Sequence, residues 1–376
     1  MAKGAYIGVN AVARKGKKGY FGVDNIARKI KKAYIGIGGL ARPCWSSEGI
    51  EYYGTITPLS IARRDISATT VGNYVVVSPD DAANGDAYDA SFTRFIIDSL
   101  STKRARVKAA TVGGYALFGG GMNSPASSYL YNIVDAYNTS LTRSIPTALS
   151  VARQLLTATS FGNYALFGGG WADSKNASDA VDAYNASLTR SNPTGLSVPR
   201  QKLAATCVGN YALFGGGGKQ VDSYTDSKSN VVDAYDASLT RSVPATLGAS
   251  SKELAAAHVG NYALFGGGNS VTVTAYDTSL TKSAPSKLSL ARYCISTATL
   301  ANHALFVGGH KSTNSDTGVT NADVYDASLT RSQATGLSIG KSLMASATIG
   351  NFALFIGGLI DDFVTVDTVE VYTYVS

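Results

Sequence analysis

The sequence predicts an all-β protein built from repeats. It has 40 glycines, 22 tyrosines and only 16% charged residues, a composition that favours short strands and tight turns over long helices. The motif GNYALFGGG, which begins at Gly162, also recurs with variations at six other places. Its aromatic position falls at Tyr74, Tyr115, Tyr164, Tyr211, Tyr262, His303 and Phe352, with spacings of 41 to 51 residues. A period of this length indicates a repeat architecture.

Each of the seven units reads as four antiparallel strands. A small-residue strand such as LAATCVG precedes a Gly-Asn turn, the strand YALFGGG, a variable loop, the strand VDAYDAS and then LTRS. Gly and Asn tolerate the positive φ that tight hairpins require, so they mark the first turn. Seven four-stranded units predict a seven-bladed β-propeller, in which radial packing protects most sheet edges.

The two ends of the repeat region predict that the ring is closed. The chain stops at VEVYTYVS, on the third strand of the seventh unit, while EYYGTITPLSIAR at 51–63 starts with a strand that has no partners in its own unit. We expect residues 51–57 to complete the seventh blade, because pairing them removes an open edge. The predicted propeller domain spans residues 46–376.

The hydrophobic strand that ends in Gly-Gly, followed by a strand with a tyrosine, resembles the kelch repeat over about residues 51–376. The resemblance implies a kelch-like propeller. Kelch units carry a tryptophan on the outer strand, and this chain departs from that pattern. Here a shorter turn leads to Phe92, Leu141, Leu188, Leu239, Leu280 or Leu329.

A separate pattern fills residues 1–45. AYIGVNAVARKGKK, GYFGVDNIARKIKK and AYIGIGGLARPCWS are three 14-residue copies, with expected turns at Asn10-Ala11, Asp24-Asn25 and Gly38-Gly39. They predict a small, basic β-hairpin-repeat domain. Ten Lys or Arg and one acid give this segment a charge of +9, so the remaining residues sum to −2. The basicity of the chain therefore belongs to its first 45 residues.

The cadence of these copies resembles N-terminal segments of virion proteins from phages and prophages of Gram-positive gut bacteria. The resemblance implies a virion protein of the tail-fibre, receptor-binding or decoration type, anchored to other virion proteins through residues 1–45 and present in several copies. The expected anchor residues are Lys15, Lys17, Lys18, Lys29, Lys31 and Lys32. The alternative, nucleic-acid binding, is less favoured because the cations alternate with apolar strand residues.

The loops that follow each glycine run are the expected ligand-binding face, because they vary while the Gly-Asn turns do not. They mix Ser, Asn, Asp and Lys with aromatic side chains, a blend able to hydrogen-bond hydroxyls and stack on sugar rings. The predicted partner is host cell-surface polysaccharide or teichoic acid. The candidate ligand-binding residues are Tyr129, Tyr131, Trp171, Lys175, Tyr224, Lys228, His310, Lys311 and Phe363.

A second candidate site is a basic residue nine positions before each Gly-Asn turn. Sevenfold repetition would place these cations in a ring at the channel mouth, where they attract an anionic glycan. The other interpretation is structural: the side chains bind carbonyls and carboxylates of neighbouring blades. The residues are Arg63, Arg104, Arg153, Arg200, Arg292 and Lys341, with Ser251 at the remaining position.

No catalytic constellation stands out, so the sequence predicts a non-enzymatic protein without cofactor or metal. Three widely spaced cysteines, Cys44, Cys207 and Cys294, argue against a disulfide framework and for a reducing place of folding. With neither a signal peptide nor a membrane span apparent, we expect assembly in a bacterial cytoplasm and residence in the virion. The alternative is a polysaccharide hydrolase or lyase that uses loop carboxylates such as Asp80, Asp81, Asp361 and Asp362.

Overall fold

The computed structural model describes residues 48–79, 84–123, 129–173, 176–219, 227–268, 270–312, 315–361 and 364–375, together with the backbone of six strands between Tyr6 and Ser46. Within these residues the chain forms strands and no α-helix, which confirms the all-β prediction. The strands assemble into seven four-stranded antiparallel sheets, the blades of a propeller. The seven-bladed prediction is therefore confirmed.

Blades 1 to 6 follow one another along the chain, and in each blade neighbouring strands pair in sequence order. Blade 1 comprises β8 (Ala68–Val71), β9 (Tyr74–Val77), β10 (Asn84–Asp89) and β11 (Arg94–Asp98). Blade 2 comprises β12 (Lys108–Val112), β13 (Tyr115–Gly119), β14 (Val134–Asn138) and β15 (Arg143–Ser144). Blade 3 comprises β16 (Thr157–Phe161), β17 (Tyr164–Gly168), β20 (Val181–Asn185) and β21 (Arg190–Ser191).

The next three blades repeat this plan. Blade 4 comprises β22 (Ala204–Val208), β23 (Tyr211–Gly215), β24 (Val232–Tyr235) and β25 (Arg241–Ser242). Blade 5 comprises β26 (Leu254–Val259), β27 (Tyr262–Gly267), β28 (Val273–Asp277) and β29 (Lys282–Ser283). Blade 6 comprises β30 (Ser296–Leu300), β31 (His303–Val307), β34 (Ala322–Tyr325) and β35 (Arg331–Gln333). Two loops add small hairpins, β18 (Trp171–Asp173) with β19 (Asn176–Ala177), and β32 (His310–Ser312) with β33 (Ser315–Gly318).

Blade 7 joins the two ends of the propeller. Its strands β36 (Ala345–Ile349), β37 (Phe352–Ile356) and β38 (Val369–Val375) are completed by β7 (Gly49–Ile56), which lies beside β38 at the outer edge. The innermost strands of neighbouring blades also contact one another around the whole ring, from β8 through β36 and back to β8. At that last junction the Thr70 hydroxyl of blade 1 donates to the Thr348 carbonyl of blade 7 at 2.6 Å.

The hydrophobic core lies between the blades. Because both faces of each sheet pack against a neighbouring blade, the second strand is apolar along its whole length: Ala165, Leu166 and Phe167 are all fully buried. The buried tyrosine of the third strand ties one blade to the preceding one. Thus Tyr184 packs edge-on against Phe167 and donates its hydroxyl to the carbonyl of Thr147, in the connector that leads out of blade 2.

The glycine run that ends each second strand is structural. A Cβ added at Gly168 would lie 2.5 Å from the Phe214 ring of the next blade. Gly169 has a φ of 65°, and a Cβ there would meet the Arg200 carbonyl oxygen at 2.6 Å. Only glycine therefore permits this exit from the strand together with this closeness of blades.

The apolar residue in the turn after the third strand of blades 1 to 6 has an unusual backbone conformation. Leu188, in the turn after β20, has a φ of 60°, and Phe92, Leu141, Leu239, Leu280 and Leu329 do likewise. The Asn185 side chain accepts from the backbone N–H groups of Ser187 and Thr189 and so holds this turn. The Leu188 side chain packs on the core between blades 2 and 3. Inter-blade packing thus opposes the cost of about 1–2 kcal/mol for left-handed backbone.

The N-terminal repeats form three hairpins, as the sequence predicts. They pair β1 (Tyr6–Val9) with β2 (Val12–Lys15), β3 (Gly19–Val23) with β4 (Ile26–Ile30), and β5 (Lys32–Ile37) with β6 (Leu40–Ser46). The predicted turn residues themselves lie outside the described residues. The chain divides into two compact units, Met1–Glu51 with Tyr374–Ser376, and Tyr52–Thr373.

Candidate functional site

The six repeated cations lie inside the blades. None is more than 4% exposed, and each pairs with an acidic side chain on the third strand of its own blade. The pairs are Arg63–Asp86, Arg104–Asp135, Arg153–Asp182, Arg200–Asp233, Arg292–Asp323 and Lys341–Glu370. The structure thus favours the structural interpretation of these residues, although their partners lie in the same blade rather than in a neighbouring one.

The pair in blade 3 shows how such a charge is accommodated. Arg153 Nη2 donates to Asp182 Oδ2 at 2.8 Å and to the Phe167 carbonyl at 3.0 Å. The other carboxylate oxygen of Asp182 accepts from the backbone N–H of Ser150 at 2.9 Å. Burial lowers the pKa of Arg153, and the charge of Asp182 opposes that shift. The pair therefore clamps the connector to the second and third strands of its blade.

Blade 5 lacks both members of the pair. Ser251 replaces the arginine, and Thr274 stands at the position of the aspartate. The Thr274 hydroxyl still accepts a backbone hydrogen bond, from Gly248 N–H at 2.9 Å, just as Asp182 does from Ser150. A buried charge without its counter-charge is costly. We therefore infer that the arginine and the aspartate form one structural unit, and that blade 5 has lost both members together.

A second set of seven residues surrounds the channel at the start of the innermost strands. Each lies two positions after one of the repeated cations or, in blade 5, after Ser251. All seven have positive φ: Asp65, Arg106, Leu155, Lys202, Glu253, Cys294 and Leu343. Successive blades hydrogen-bond here, as in Glu253 N–H to the Lys202 carbonyl at 2.9 Å and Cys294 N–H to the Glu253 carbonyl at 3.1 Å. We call this set the mouth ring. The predicted cations precede it in the chain and lie buried behind it.

Charges on the mouth ring pair between adjacent blades. Lys202 Nζ lies 2.8 Å from Glu253 Oε1, and Arg106 Nε lies 3.6 Å from Asp65 Oδ2. Desolvation lowers the pKa of Lys108, against the opposing charge of Asp65. Desolvation also raises the pKa of the Cys294 thiol well above its usual range, and the negative charge of Glu253 adds to that shift. In both groups, burial therefore shifts the proton equilibrium towards the uncharged form.

Two of the predicted ligand-binding aromatics meet on the loop face. Tyr129 is 64% exposed, and its ring lies edge-on to that of Tyr131, with centroids 5.1 Å apart. The backbone around them is fixed: Tyr131 N–H donates to the Gly121 carbonyl at 3.0 Å, and the Tyr131 carbonyl accepts from Arg153 N–H at 3.1 Å. The pair is therefore an accessible aromatic surface on an anchored segment.

Trp171 and His310 are less accessible than the sequence interpretation requires. His310 is only 6% exposed, because its ring stacks on Tyr293 at 5.7 Å and 25°. Trp171 is half-buried, and its backbone pairs with Gln154. Its indole N–H is buried and has no hydrogen-bond acceptor in the described part of the chain. The His310 ring therefore has little access to a ligand on the loop face, whereas Trp171 is partly accessible.

Some of the other candidate residues are exposed, and others lie outside the described residues. Lys228 and Lys311 are exposed on their loops. Lys175, Tyr224 and Phe363 lie outside the described residues, as do Asp80, Asp81 and Asp362. Asp361 accepts from Gly318 N–H at 3.0 Å and so joins the loops of blades 6 and 7. Of the predicted anchor lysines, the backbone of Lys15, Lys29 and Lys32 lies on β2, β4 and β5. Their side chains, and all of Lys17, Lys18 and Lys31, lie outside the described residues.

The acidic partners and the mouth ring are the residues that sequence reasoning missed. A comparison of the repeats contains the signal for the first set: the aspartate of VDAY accompanies each arginine, and both are absent together from blade 5. Among the described residues, no group of three or more His, Cys, Asp or Glu is placed to hold a metal ion. The described part also contains no helix of the length and apolarity that a membrane crossing needs.

Fold and site together define a seven-bladed β-propeller with internally paired charges and a varied loop face. No family model matches the chain, and no curated protein sequence matches it. Among solved structures, that of YjhT is similar, with a TM-score of 0.56 and 14% sequence identity over 74% of this chain and 99% of that one. At this identity the likeness is one of fold.

Proposed function

We propose that this chain is a non-catalytic carbohydrate-binding propeller carried on a phage particle, as a tail-fibre, receptor-binding or decoration protein. The observation that carries the binding role is the Tyr129–Tyr131 pair, an exposed aromatic surface held on the loop face by backbone hydrogen bonds. Aromatic rings offer an apolar face to sugar C–H groups and a hydroxyl to sugar oxygens. The ligand is host surface polysaccharide or teichoic acid.

The distribution of charge supports attachment through hydrogen bonds and stacking. The six cations that repeat before the blades are buried and paired with carboxylates, so they are not accessible to a polyanion. Exposed lysines such as Lys228 and Lys311 supply donors at the edges of the loop face. Single contacts of this kind are weak, and several copies on one particle would raise the avidity.

The N-terminal hairpins support the anchoring role. Equivalent pairs, Tyr6 with Lys15 and Tyr20 with Lys29, have the same register in the first two hairpins. A two-stranded hairpin is marginally stable alone in water and gains stability from a partner surface. The basic character of residues 1–45 suits an acidic surface on another virion protein.

Binding of the purified protein to host-wall polysaccharide tests the first half of the proposal. Tyr129→Ala should weaken binding by roughly threefold to tenfold, the range expected for one aromatic contact, whereas Tyr129→Phe retains most of it. Tyr53→Ala is the matched control, because Tyr53 is 47% exposed on β7 and its ring contacts Phe92 and Phe352 at the turns rather than residues of the loop face. Equal binding by Tyr129→Ala and the wild type would remove the site, and shortened glycan chains after incubation would overturn the non-catalytic assignment.

Immunogold labelling of particles tests the second half. An antibody to the propeller should decorate virions, and deletion of residues 1–45 should leave the propeller folded but absent from particles. Unlabelled particles would rule out the virion assignment while leaving the glycan measurement valid.

A further inference from the structure

The central channel contains a cavity of about 430 Å³ along the innermost strands. Its walls come from the innermost strands of all seven blades, and its lining consists of seven alanines, six threonines, Ser160 and His258. The volume lies within the range of about 300–1,000 Å³ typical of small-molecule sites. The cavity is thus large enough for an organic solute.

The hydroxyl groups of this lining present both donors and acceptors. Thr297 and Thr299 give their protons to the backbone carbonyls of Ala256 and His258, at 2.7 and 2.6 Å, so their remaining lone pairs can accept. Ser160 has the opposite role: its oxygen accepts from the backbone N–H of Thr111 at 2.8 Å, and its own O–H stays available to donate. Such a wall complements groups that donate and accept at once, as sugar hydroxyls do.

Two further hydroxyls of the lining make no hydrogen bond to the part of the chain that the structure describes. They belong to Thr206 and Thr348, on the innermost strands of blades 4 and 7. Thr206 is only 6% exposed, so its hydroxyl has little access to anything except the contents of the channel. Both groups face the channel, so a ligand hydroxyl in the cavity would take the place of channel water as their hydrogen-bond partner.

The cavity carries no formal charge. None of its lining residues is acidic or a Lys or Arg. Burial lowers the pKa of His258, which favours the neutral imidazole, and its Nδ1 lies 3.3 Å from the Thr299 hydroxyl. A charged solute would lose hydration here without gaining an ion pair, whereas a neutral solute would not. The alanine methyl groups supply apolar contact for C–H surfaces.

We propose that this cavity binds a small neutral polyol or monosaccharide through the hydroxyls of Ser160, Thr206 and Thr348. The site is independent of the loop face, because it lies inside the channel and uses no residue of the predicted glycan surface. It recognises hydroxyl groups by hydrogen bonding and excludes charged analogues by desolvation.

The test is a ligand-observed NMR titration of the full chain with D-glucose and D-glucitol, and with D-glucuronate and D-glucosamine as charged counterparts. The neutral probes should bind, and the charged ones should bind at least tenfold more weakly. Thr206→Val with Thr348→Val should weaken neutral binding by roughly tenfold, the effect of two lost hydrogen bonds, without lowering the melting temperature. Ser160→Ala is a second variant, on an exposed residue, should the first fail to fold.

The matched control is Thr189→Val with Thr281→Val, the same chemical change at exposed turns outside the cavity, which should leave binding unchanged. Tyr129→Ala should also leave it unchanged, which separates this site from the proposed glycan surface. The proposal would be overturned if neither neutral probe bound, if D-glucuronate bound as tightly as the neutral probes, or if both cavity variants kept the affinity of the wild type.

Discussion

Replacement of Asp182 by threonine is expected to destabilise the propeller strongly. Thr274 shows that a threonine at this position can still accept the connector N–H, so the variant should retain that hydrogen bond. The loss falls on Arg153, which is fully buried and would keep one carbonyl contact but no counter-charge. Removal of one partner of a buried ion pair costs about 3–5 kcal/mol, and we expect a loss of free energy of unfolding in that range.

The reverse change, Arg153→Ser, should cost less. The Asp182 carboxylate that remains would still accept from Ser150 N–H and from the Asn192 side chain, and Arg190 lies 3.6 Å away. The double variant Arg153→Ser with Asp182→Thr reproduces the arrangement of blade 5. It should be more stable than the sum of the single losses predicts, with a coupling of about 1–3 kcal/mol.

Equilibrium unfolding in urea, followed by tyrosine fluorescence and circular dichroism, measures these differences. The control cycle uses Lys202→Met and Glu253→Gln, since that ion pair is equally short at 2.8 Å but partly exposed to solvent. It should give a coupling of about 1 kcal/mol or less. Additive losses at Arg153 and Asp182, within about 0.5 kcal/mol, would refute the idea that the charges form one unit.

Three further predictions concern the turns and the channel. Leu188 has a positive φ, so the Leu188→Gly variant should be more stable than Leu188→Ala by about 1 kcal/mol. At exposed Ile145 the alanine variant should instead be more stable than the glycine variant. If glycine were favoured over alanine to the same degree at both positions, backbone strain would not explain the effect. Because the pKa of Lys108 is lowered in the folded state, the unfolded chain binds more protons between that lowered pKa and the usual value of 10.5, and stability should rise with pH across this window. Lys108→Met should therefore be stabilising at neutral pH and lose its advantage at alkaline pH, and a pH-independent difference in unfolding free energy would show otherwise. Since the pKa of the Cys294 thiol is raised, its reaction with a disulfide reagent at pH 8 should be much slower in the native protein than in urea, and equal rates would count against the raised pKa.

Much of the architecture was predictable because it is local and repeated. The Gly-Asn turns, the apolar second strands and the tyrosine strands each lie within about 30 residues, and seven copies of one pattern leave few alternatives to a ring of blades. The three N-terminal hairpins followed from the same local signals. The candidate site was predicted less well: Tyr129 and Tyr131 are on an accessible surface, whereas His310 is stacked on Tyr293.

The sequence by itself determined the strand pattern, the number of blades and the concentration of positive charge in residues 1–45. Only the tertiary structure decided which side chains have access to solvent. Arg153 and Asp182 are 29 residues apart, and the hydroxyls of the channel come from blades spaced about 40 to 50 residues apart. Whether a charge is displayed or buried depends on such distant partners, because desolvation and pairing are set by what the folded chain places around it.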